Sequence, residues 1–177
     1  MKFELRGNQF FKDDKAVKII SGAVHYFRNM PDTWCDIFRK MRALGCNCVE
    51  TYCAWNMHEK KQGEYCFDGI LDIADFIRNA AAEGLMLIVR PGPYICAEWE
   101  FGGLPWWIQN DDDMEIRCSN PAYIKYFERY LDRLFEEVRP LLCTNGGPVI
   151  MLQCENEYGY YGDDKKYLKH LYDFYRS

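Results

Sequence analysis

Two carboxylates and an amide follow a short apolar run near the C-terminal end of the chain. Val149–Leu152 comes after the turn Gly146–Pro148, and Glu155, Asn156 and Glu157 come shortly after it. A short apolar run bounded by a turn predicts a strand that is covered on both faces, as in a parallel sheet. Because side chains alternate along a strand, we expect Glu155 and Glu157 on one side and Asn156 on the other, if the extended conformation continues. Carboxylates so placed could act as acid and base.

Polar residues also lie at or just after the ends of three other predicted strands. Because parallel strands end at the same edge of a sheet, we expect all these residues to converge there. Their mixture suits a sugar site: carboxylates supply acid and base, amides bind hydroxyls, and aromatic rings cover the apolar faces of sugars. A single glutamate at a strand end is as often structural or solvated, so the clustering carries the prediction. The residues are His25, Arg28, Glu50, Tyr52, Asn56, Arg90, Glu98 and Glu100.

The same residue types could instead bind a metal or supply a nucleophile. His25, His58 and His170 are scattered, and the segment after His58 lacks the second histidine of a zinc-protease helix. There is also no CxxC pair, so we do not expect a structural zinc site. We expect no catalytic metal and no other cofactor. Cys96 lies in a loop of the predicted site, but no histidine is placed to activate it. We therefore expect Cys96 to be a small, packed side chain and not a nucleophile.

Alternating strands and helices must position these residues. Residues 1–20 contain short strands separated by turn-forming pairs, which predict a β-hairpin. Four units of strand followed by amphipathic helix come next, and this alternation predicts a parallel sheet. No Gly-rich phosphate-binding loop follows any strand, which disfavours a nucleotide-binding doubly wound fold. The predicted strands cover 19–25, 48–52, 85–90 and 149–152, and the helices begin at Pro31, near Ile70, at Asn120-Pro121 and near Asp164. The first helix is expected to bury Trp34, Ile37, Phe38, Met41 and Leu44.

A (β/α)8 barrel would explain functional residues at every strand end. Such a barrel takes about 250 residues, whereas this chain has 177. We therefore predict an α/β fold of (β/α)8 TIM-barrel type in which only four βα units are present, preceded by a short N-terminal β-hairpin; the family resemblance described below implies that they are the first four. The two outer strands would be open edges and the helices would expose apolar stripes, so we expect self-association through these edges.

Composition excludes some classes of partner. The net charge of −5 and the pI near 5.3 argue against a nucleic-acid surface. The first residues have no apolar signal core and no apolar run is long enough for a membrane span, so we expect a cytoplasmic protein without a membrane partner. Nine cysteines are an odd number, and many sit beside apolar residues. We expect free, mostly buried thiols rather than disulfides.

Four stretches of the chain resemble the motifs of family 35 glycoside hydrolases, the β-galactosidases. The likeness extends over nearly the whole chain, with the stretches in the same order, and the third and fourth are long and specific. The resemblance implies that residues 1–177 are the N-terminal part of a (β/α)8 catalytic domain. It also implies a retaining hydrolase of terminal β-D-galactosides, acting on oligosaccharides or glycoconjugates. The stretches are Ser21–Tyr26, Thr51–Glu59, Arg90–Pro105 and Gly146–Gly159.

The resemblance also implies a role for particular residues. Glu157, in the Asn-Glu pair after the fourth strand, would be the general acid/base, and Asn156 would bind the sugar 2-hydroxyl. We expect burial and a second carboxylate to raise the pKa of Glu157. That second carboxylate, the nucleophile, would lie beyond residue 177, about 5–5.5 Å from Glu157 in space. The galactose pocket would be lined by Tyr52, by the backbone of Cys96 and Ala97, and by Glu98.

Other interpretations stay open at this point. From the residues alone, Glu157 could pair with Glu98 on the neighbouring strand, whereas the resemblance assigns Glu98 to substrate binding. The chain could be a carbohydrate-binding or self-assembling half-barrel without catalysis. It could also belong to a related two-carboxylate barrel hydrolase that acts on gluco- or manno-configured β-glycosides.

Overall fold

The computed structural model describes residues 2–177, which form two compact units. The first unit comprises the chain up to Thr51, Phe67–Val89 and Glu136–Leu152, and the second comprises Tyr52–Cys66, Arg90–Phe135 and Gln153–Ser177. The strands are β1 (Phe3–Arg6), β2 (Gln9–Lys12), β3 (Lys15–Val17), β4 (Ser21–Ala23), β5 (Cys48–Tyr52), β6 (Met86–Gly92) and β7 (Val149–Cys154). The α-helices are α1 (Trp34–Ala43), α2 (Trp55–His58), α3 (Ile73–Ala82), α4 (Pro121–Val138), α5 (Tyr158–Tyr161) and α6 (Lys165–Arg176).

The strands form two sheets. β1, β2 and β3 make an antiparallel meander, so the predicted N-terminal hairpin is present and carries a third strand. The other sheet has the order β4-β5-β6-β7. Each strand lies beside its neighbour in the chain, whereas the strand order of a doubly wound sheet reverses at a switch point. This sequential order is what a barrel-type arrangement requires.

Hydrogen bonds give the direction of the strands in the second sheet. β4 pairs with β5 in parallel register. Within the first unit, Asn47 is bonded to Met86, and within the second unit Cys53 is bonded to Arg90, so β5 and β6 run the same way. Between β6 and β7, Leu87 is bonded to Pro148 in the first unit and Gly92 is bonded to Glu155 in the second, so these two strands also run the same way. The predicted parallel sheet is therefore confirmed.

Aromatic packing joins α1 to α3 in the first unit. The Phe76 ring of α3 lies 5.3 Å from the ring of Trp34 and 5.0 Å from that of Phe38. Both α1 residues are fully buried, as the helical spacing predicted. The prediction that Leu44 is buried is wrong: it is 83% exposed, because α1 ends at Ala43 and Leu44 only caps it. Burying each of the large rings stabilises the fold by about 1.5–3 kcal/mol.

Helix α4 supplies the aromatic core of the second unit. Its start is capped by Asn120, whose Oδ1 accepts hydrogen bonds from the backbone N–H of Ala122 (3.0 Å) and Tyr123 (3.1 Å). This confirms the predicted cap. Phe127 is fully buried, and so are Tyr123 and Tyr130, whose burial the sequence did not predict. A tyrosine ring carries enough apolar surface to join a core.

The two expectations about the cysteines, that they are free thiols and that most are buried, have different outcomes. All nine cysteines lie within residues 2–177 and are free thiols. However, only Cys48 and Cys53 are buried, so the prediction of mostly buried thiols is wrong. Among the described residues, no helix has both the length and the apolar character needed to cross a bilayer.

Buried His58 makes the stability of the second unit depend on pH. It is 1% exposed and its Nδ1 donates to the carbonyl oxygen of Cys66 at 2.8 Å. Burial lowers the pKa of His58 to about 4, and the nearby Arg133 acts in the same direction. Since the unfolded imidazole titrates near pH 6.5, acid protonates the unfolded state first. The stability due to neutral His58 is therefore complete above about pH 6.5 and is lost as pH falls toward 4.

We expect this histidine to cost the isolated chain about 2 kcal/mol of unfolding free energy between pH 8 and pH 5. Urea unfolding at both pH values measures the loss. The variant His58→Gln, which keeps a donor for Cys66, should show a correspondingly smaller difference between the two pH values. An equal difference in both proteins would mean that His58 is not the group responsible.

Candidate active site

The C-terminal ends of β5, β6 and β7 meet in one cluster of polar side chains in the second unit. Tyr52 ends β5, Arg90 lies near the end of β6, and Asn156 follows β7. The guanidinium carbon of Arg90 lies 3.9 Å from the centre of the Tyr52 ring, and Arg90 Nη2 donates to Asn156 Oδ1 at 2.9 Å. Arg90 therefore links the residues that two other strand ends contribute.

This bond determines how the Asn156 amide is oriented. A guanidinium group only donates hydrogen bonds, so the oxygen of the amide must face Arg90 and the Nδ2 group must point the other way. Asn156 is 5% exposed, and its backbone N–H donates to the Glu155 carboxylate. The arrangement presents an oriented N–H donor, which is suited to binding a hydroxyl oxygen.

Glu155 is a buried structural residue whose partner is Arg117. Arg117 Nε and Nη2 each lie 2.8 Å from one carboxylate oxygen of Glu155, and the hydroxyl of Tyr167 donates to Oε1 at 3.3 Å. Both charged side chains are at most 5% exposed. Burial opposes the charge of the guanidinium, but the ion pair with Glu155 outweighs it and raises the pKa of Arg117. Arg117 is therefore the ionic partner of Glu155.

The expectation that Glu155 and Glu157 share one side is wrong. β7 ends at Cys154, and the backbone of both glutamates is left-handed, with φ of 60° and 48°. Strand alternation therefore stops before the first glutamate. Glu155 turns into the core at 2% exposure, while Glu157 is exposed, which also contradicts the expected burial of Glu157.

The loop after β6 has an unusual backbone. Cys96, Ala97 and Glu98 are three consecutive non-glycine residues with left-handed φ of 56°, 57° and 45°. A turn hydrogen bond from the Trp99 N–H to the Cys96 carbonyl, 3.0 Å long, closes this segment. Such strain persists only where the surroundings hold it, and it is concentrated at functional sites. Ala97 is buried, whereas Cys96 and Glu98 are exposed, so the prediction of a packed Cys96 side chain is wrong.

Side-chain and backbone bonds hold this loop in place. Trp99 Nε1 donates to Asn56 Oδ1 at 3.0 Å, which ties the loop to the segment after β5. The Ile95 N–H donates to the Gly102 carbonyl at 2.8 Å. Gly102 has a φ of 58°, and a Cβ atom there would collide with the Tyr94 ring, so the close approach requires glycine. The strained segment is thus anchored on both sides.

A cavity of about 530 Å³ opens beside the same loop. Trp99 and Trp106 lie in its lining, and the Trp106 side chain is 63% exposed. Glu100, Gln109 and Lys60 add a carboxylate, an amide and an ammonium group. Indole rings with hydrogen-bonding groups around them are suited to a sugar ring, whose faces are apolar and whose rim carries hydroxyls.

The predicted site residues fall into two groups. The first unit contains His25, Arg28 and Glu50. The second unit contains Tyr52, Asn56, Arg90, Cys96, Ala97, Glu98, Glu100, Asn156 and Glu157. Sequence reasoning missed Arg117, which stands alone in an acidic loop without a motif or a periodic position. Among the described residues, no group of three or more His, Cys, Asp or Glu side chains is placed to hold a metal ion.

Comparison with known proteins matches the chain to an enzyme family. The model of glycosyl hydrolases family 35 matches residues 9–177. Curated relatives named "Beta-galactosidase" occur in Xanthomonas manihotis (47% identical over 166 residues, 94% of this chain) and in Bos taurus (45% over 171 residues, 96% of this chain). "Beta-galactosidase 17" of Arabidopsis thaliana is 44% identical over 171 residues, 96% of this chain. The aligned regions are 28%, 26% and 24% of those proteins, so the chain spans about a quarter of their length.

Solved structures show the same fold at low sequence identity. GH5_18 from Streptomyces cattleya, in complex with GlcNAc, has a TM-score of 0.67 at 15% identity and covers 90% of this chain and 42% of that one. GH5_18 from Bifidobacterium longum subsp. longum has a TM-score of 0.65 at 12% identity, with 88% and 40% coverage. These GH5-type barrels support an α/β fold with a parallel sheet of barrel type.

Proposed function

Since the chain belongs to glycosyl hydrolase family 35, we propose that it is the N-terminal part of a retaining hydrolase that removes terminal β-D-galactose from oligosaccharides or glycoconjugates. In this proposal β4 to β7, with the helices after them, are the first four βα units of a (β/α)8 barrel. The sequential strand order supports this proposal. So does the structural match to the GH5-type barrels, because this chain aligns with about two-fifths of each of them.

One observation of the structure carries the proposed site. Arg90 contacts both Tyr52 and Asn156, so the ends of three strands supply one cluster, with Glu157 next in the chain. Barrel enzymes place their chemistry at this end of the strands. We assign the oriented Nδ2 group of Asn156 to the sugar 2-hydroxyl and Glu157 to proton transfer.

Glu157 would act twice in the reaction. As a carboxylic acid it gives its proton to the glycosidic oxygen while the nucleophile, a glutamate on a later strand of the complete barrel, bonds to the anomeric carbon. The aglycone leaves with that proton. Glu157, now a carboxylate, then takes a proton from water, whose oxygen displaces the nucleophile and retains the anomeric configuration. Tyr52, Glu98 and the backbone of Cys96 and Ala97 would hold the galactose ring.

The isolated chain should therefore be inactive. With one of the two carboxylates missing, we expect no turnover of 4-nitrophenyl β-D-galactoside above background. A chimera, in which residues 9–177 replace the matched segment of the Xanthomonas manihotis β-galactosidase, should hydrolyse it. Hydrolysis by the isolated chain that disappears in Glu157→Gln would reveal a second carboxylate within the chain. A folded chimera without activity would contradict the proposed catalytic role.

The cavity with its indole rings supports a second candidate, carbohydrate binding without catalysis. Calorimetry separates the two: galactose binding by a folded chimera that shows no turnover favours the second. Hydrolysis of a gluco- or manno-configured substrate in preference to the galactoside would favour a related hydrolase. A cytoplasmic location and self-association through open sheet edges stay predictions.

A further inference from the structure

Three residues with strained backbone meet at one turn of the second unit: Glu155 and Glu157 belong to the turn after β7, and Arg117 contacts it from earlier in the chain. Arg117, Glu155 and Glu157 all have left-handed backbone, with φ of 56°, 60° and 48°. None is a glycine, so each conformation costs free energy that other contacts must offset. Arg117 and Glu155 are in direct contact across 38 positions of sequence, and Glu157 is two residues further on. Contacts from outside the turn after β7 must therefore stabilise its left-handed backbone.

The side chain of Arg117 makes three hydrogen bonds to that turn. Two go to the carboxylate of Glu155, and the third runs from Nη2 to the backbone carbonyl of Asn156 at 2.7 Å. Because the Asn156 N–H also donates to Glu155, the guanidinium and the carboxylate together bind both polar groups of the Asn156 backbone. A planar, bidentate donor is required for this pattern, and lysine could not reproduce it.

Aromatic rings keep the guanidinium itself in position. Its carbon lies 3.8 Å from the ring centres of both Tyr94 and Tyr161. The hydroxyl of Tyr158 donates to the Arg117 carbonyl at 2.9 Å, which binds the strained backbone of Arg117 to the helix that follows Glu157. The arginine is thus connected to the residues on both sides of the proposed acid/base.

We propose that Arg117 is a positioning residue for Glu157. Through Glu155 and the Asn156 carbonyl it holds the turn in the form that sends Glu155 into the core and leaves the Glu157 carboxyl outside it. The same turn aims the Asn156 amide at Arg90. Arg117 contacts neither the sugar nor the reacting atoms in this arrangement. The inference rests on the proposed function, because it concerns the acid/base of that reaction.

A second arginine in the same unit that pairs with a buried carboxylate provides a control, and its own side chain is 39% exposed. Arg129 Nη2 lies 2.7 Å from Oε1 of Glu59, whose side chain is fully buried, and Arg129 Nε donates to the Tyr65 hydroxyl at 3.0 Å. Like Arg117, Arg129 binds a buried carboxylate. Unlike Glu155, Glu59 has an ordinary negative φ of −129°. Glu59 also lies far in the sequence from the turn after β7.

The test compares Arg117→Lys with Arg129→Lys in the chimera on two substrates. Phenyl β-D-galactoside needs a proton on its leaving group, whereas 2,4-dinitrophenyl β-D-galactoside does not. If Arg117 positions the general acid, its variant should lower kcat/KM for the phenyl substrate at least about tenfold more than for the dinitrophenyl substrate. Arg129→Lys should lower both by the same factor, since a loss of folded enzyme does not distinguish substrates.

Equal losses on both substrates in Arg117→Lys would overturn the proposal and leave Arg117 a structural role only. A second measurement, on the isolated chain, does not need activity. Backbone hydrogen exchange in residues 153–159 should be at least about tenfold faster in Arg117→Lys and unchanged in Arg129→Lys. Unchanged exchange in both variants would also overturn it. An inactive wild-type chimera with the expected exchange result would count against the proposed function alone.

Discussion

Replacing Glu157 by glutamine in the chimera is expected to lower kcat/KM for phenyl β-D-galactoside by about 10²–10⁴, the range of general acid catalysis. The amide cannot donate a proton to the glycosidic oxygen, so a poor leaving group must depart as an anion. 2,4-Dinitrophenyl β-D-galactoside should lose far less in the first step, because its leaving group is stable without a proton. Steady-state kinetics on the two substrates measure the contrast.

Added azide should partly restore turnover of the dinitrophenyl substrate by Glu157→Gln, because an anionic nucleophile needs no general base in the second step. The product would be β-galactosyl azide, which retains the configuration of the substrate. Asp112→Asn removes an exposed carboxylate from the same unit and should leave both activities unchanged. If Glu157→Gln loses activity on both substrates by the same factor and azide does not restore it, Glu157 is not the general acid/base.

The same pair of substrates tests the alternative in which Glu98 shares the chemistry. If Glu98 only binds the sugar, Glu98→Gln should weaken binding of both substrates by a similar factor and show no azide rescue. A leaving-group dependence in Glu98→Gln like that of Glu157→Gln would assign proton transfer to Glu98 instead.

Removing the carboxylate of Glu155 is expected to destabilise the isolated chain by about 3–5 kcal/mol, the usual cost of breaking a buried ion pair. In Glu155→Ala the guanidinium of Arg117 stays buried without its partner, and the Asn156 N–H loses its acceptor. Urea unfolding at pH 7.5 measures the change. Both side chains are at most 5% exposed in the structure. A loss below about 1 kcal/mol would mean that water reaches the ion pair more easily than this low exposure indicates.

A double variant, Arg117→Met with Glu155→Leu, should recover part of this loss. It removes both buried charges together, and apolar residues of similar volume often replace such pairs at little cost. Recovery should be incomplete, because the backbone groups of Asn156 would still lack their partners. Asp173→Ala breaks the exposed pair with Lys169 and serves as the control, with a much smaller expected effect.

Much of the fold is readable from the sequence because it depends on local patterns. The alternation of apolar strands and amphipathic helices predicted the parallel sheet, and Asn120-Pro121 predicted the start of α4 to the residue. Leu44 shows the limit of such patterns: helical spacing put it on the buried face, but α1 ends one residue earlier. Tyr130 shows a second limit, because a tyrosine in a helix is buried or exposed according to what packs against it.

The Asn-Glu pair after β7 is visible in the sequence, and the likeness of four motifs to family 35 implied that Glu157 is the candidate acid/base. Only the tertiary structure showed that the two glutamates of Gly146–Gly159 point to different sides. Strand alternation predicted a shared side, yet left-handed backbone at both positions sends Glu155 into the core and Glu157 out of it. The reason is Arg117, which reaches this turn from 38 residues earlier in the chain and pairs with Glu155. A contact of that separation leaves no periodicity in the sequence, so only the folded chain could reveal it.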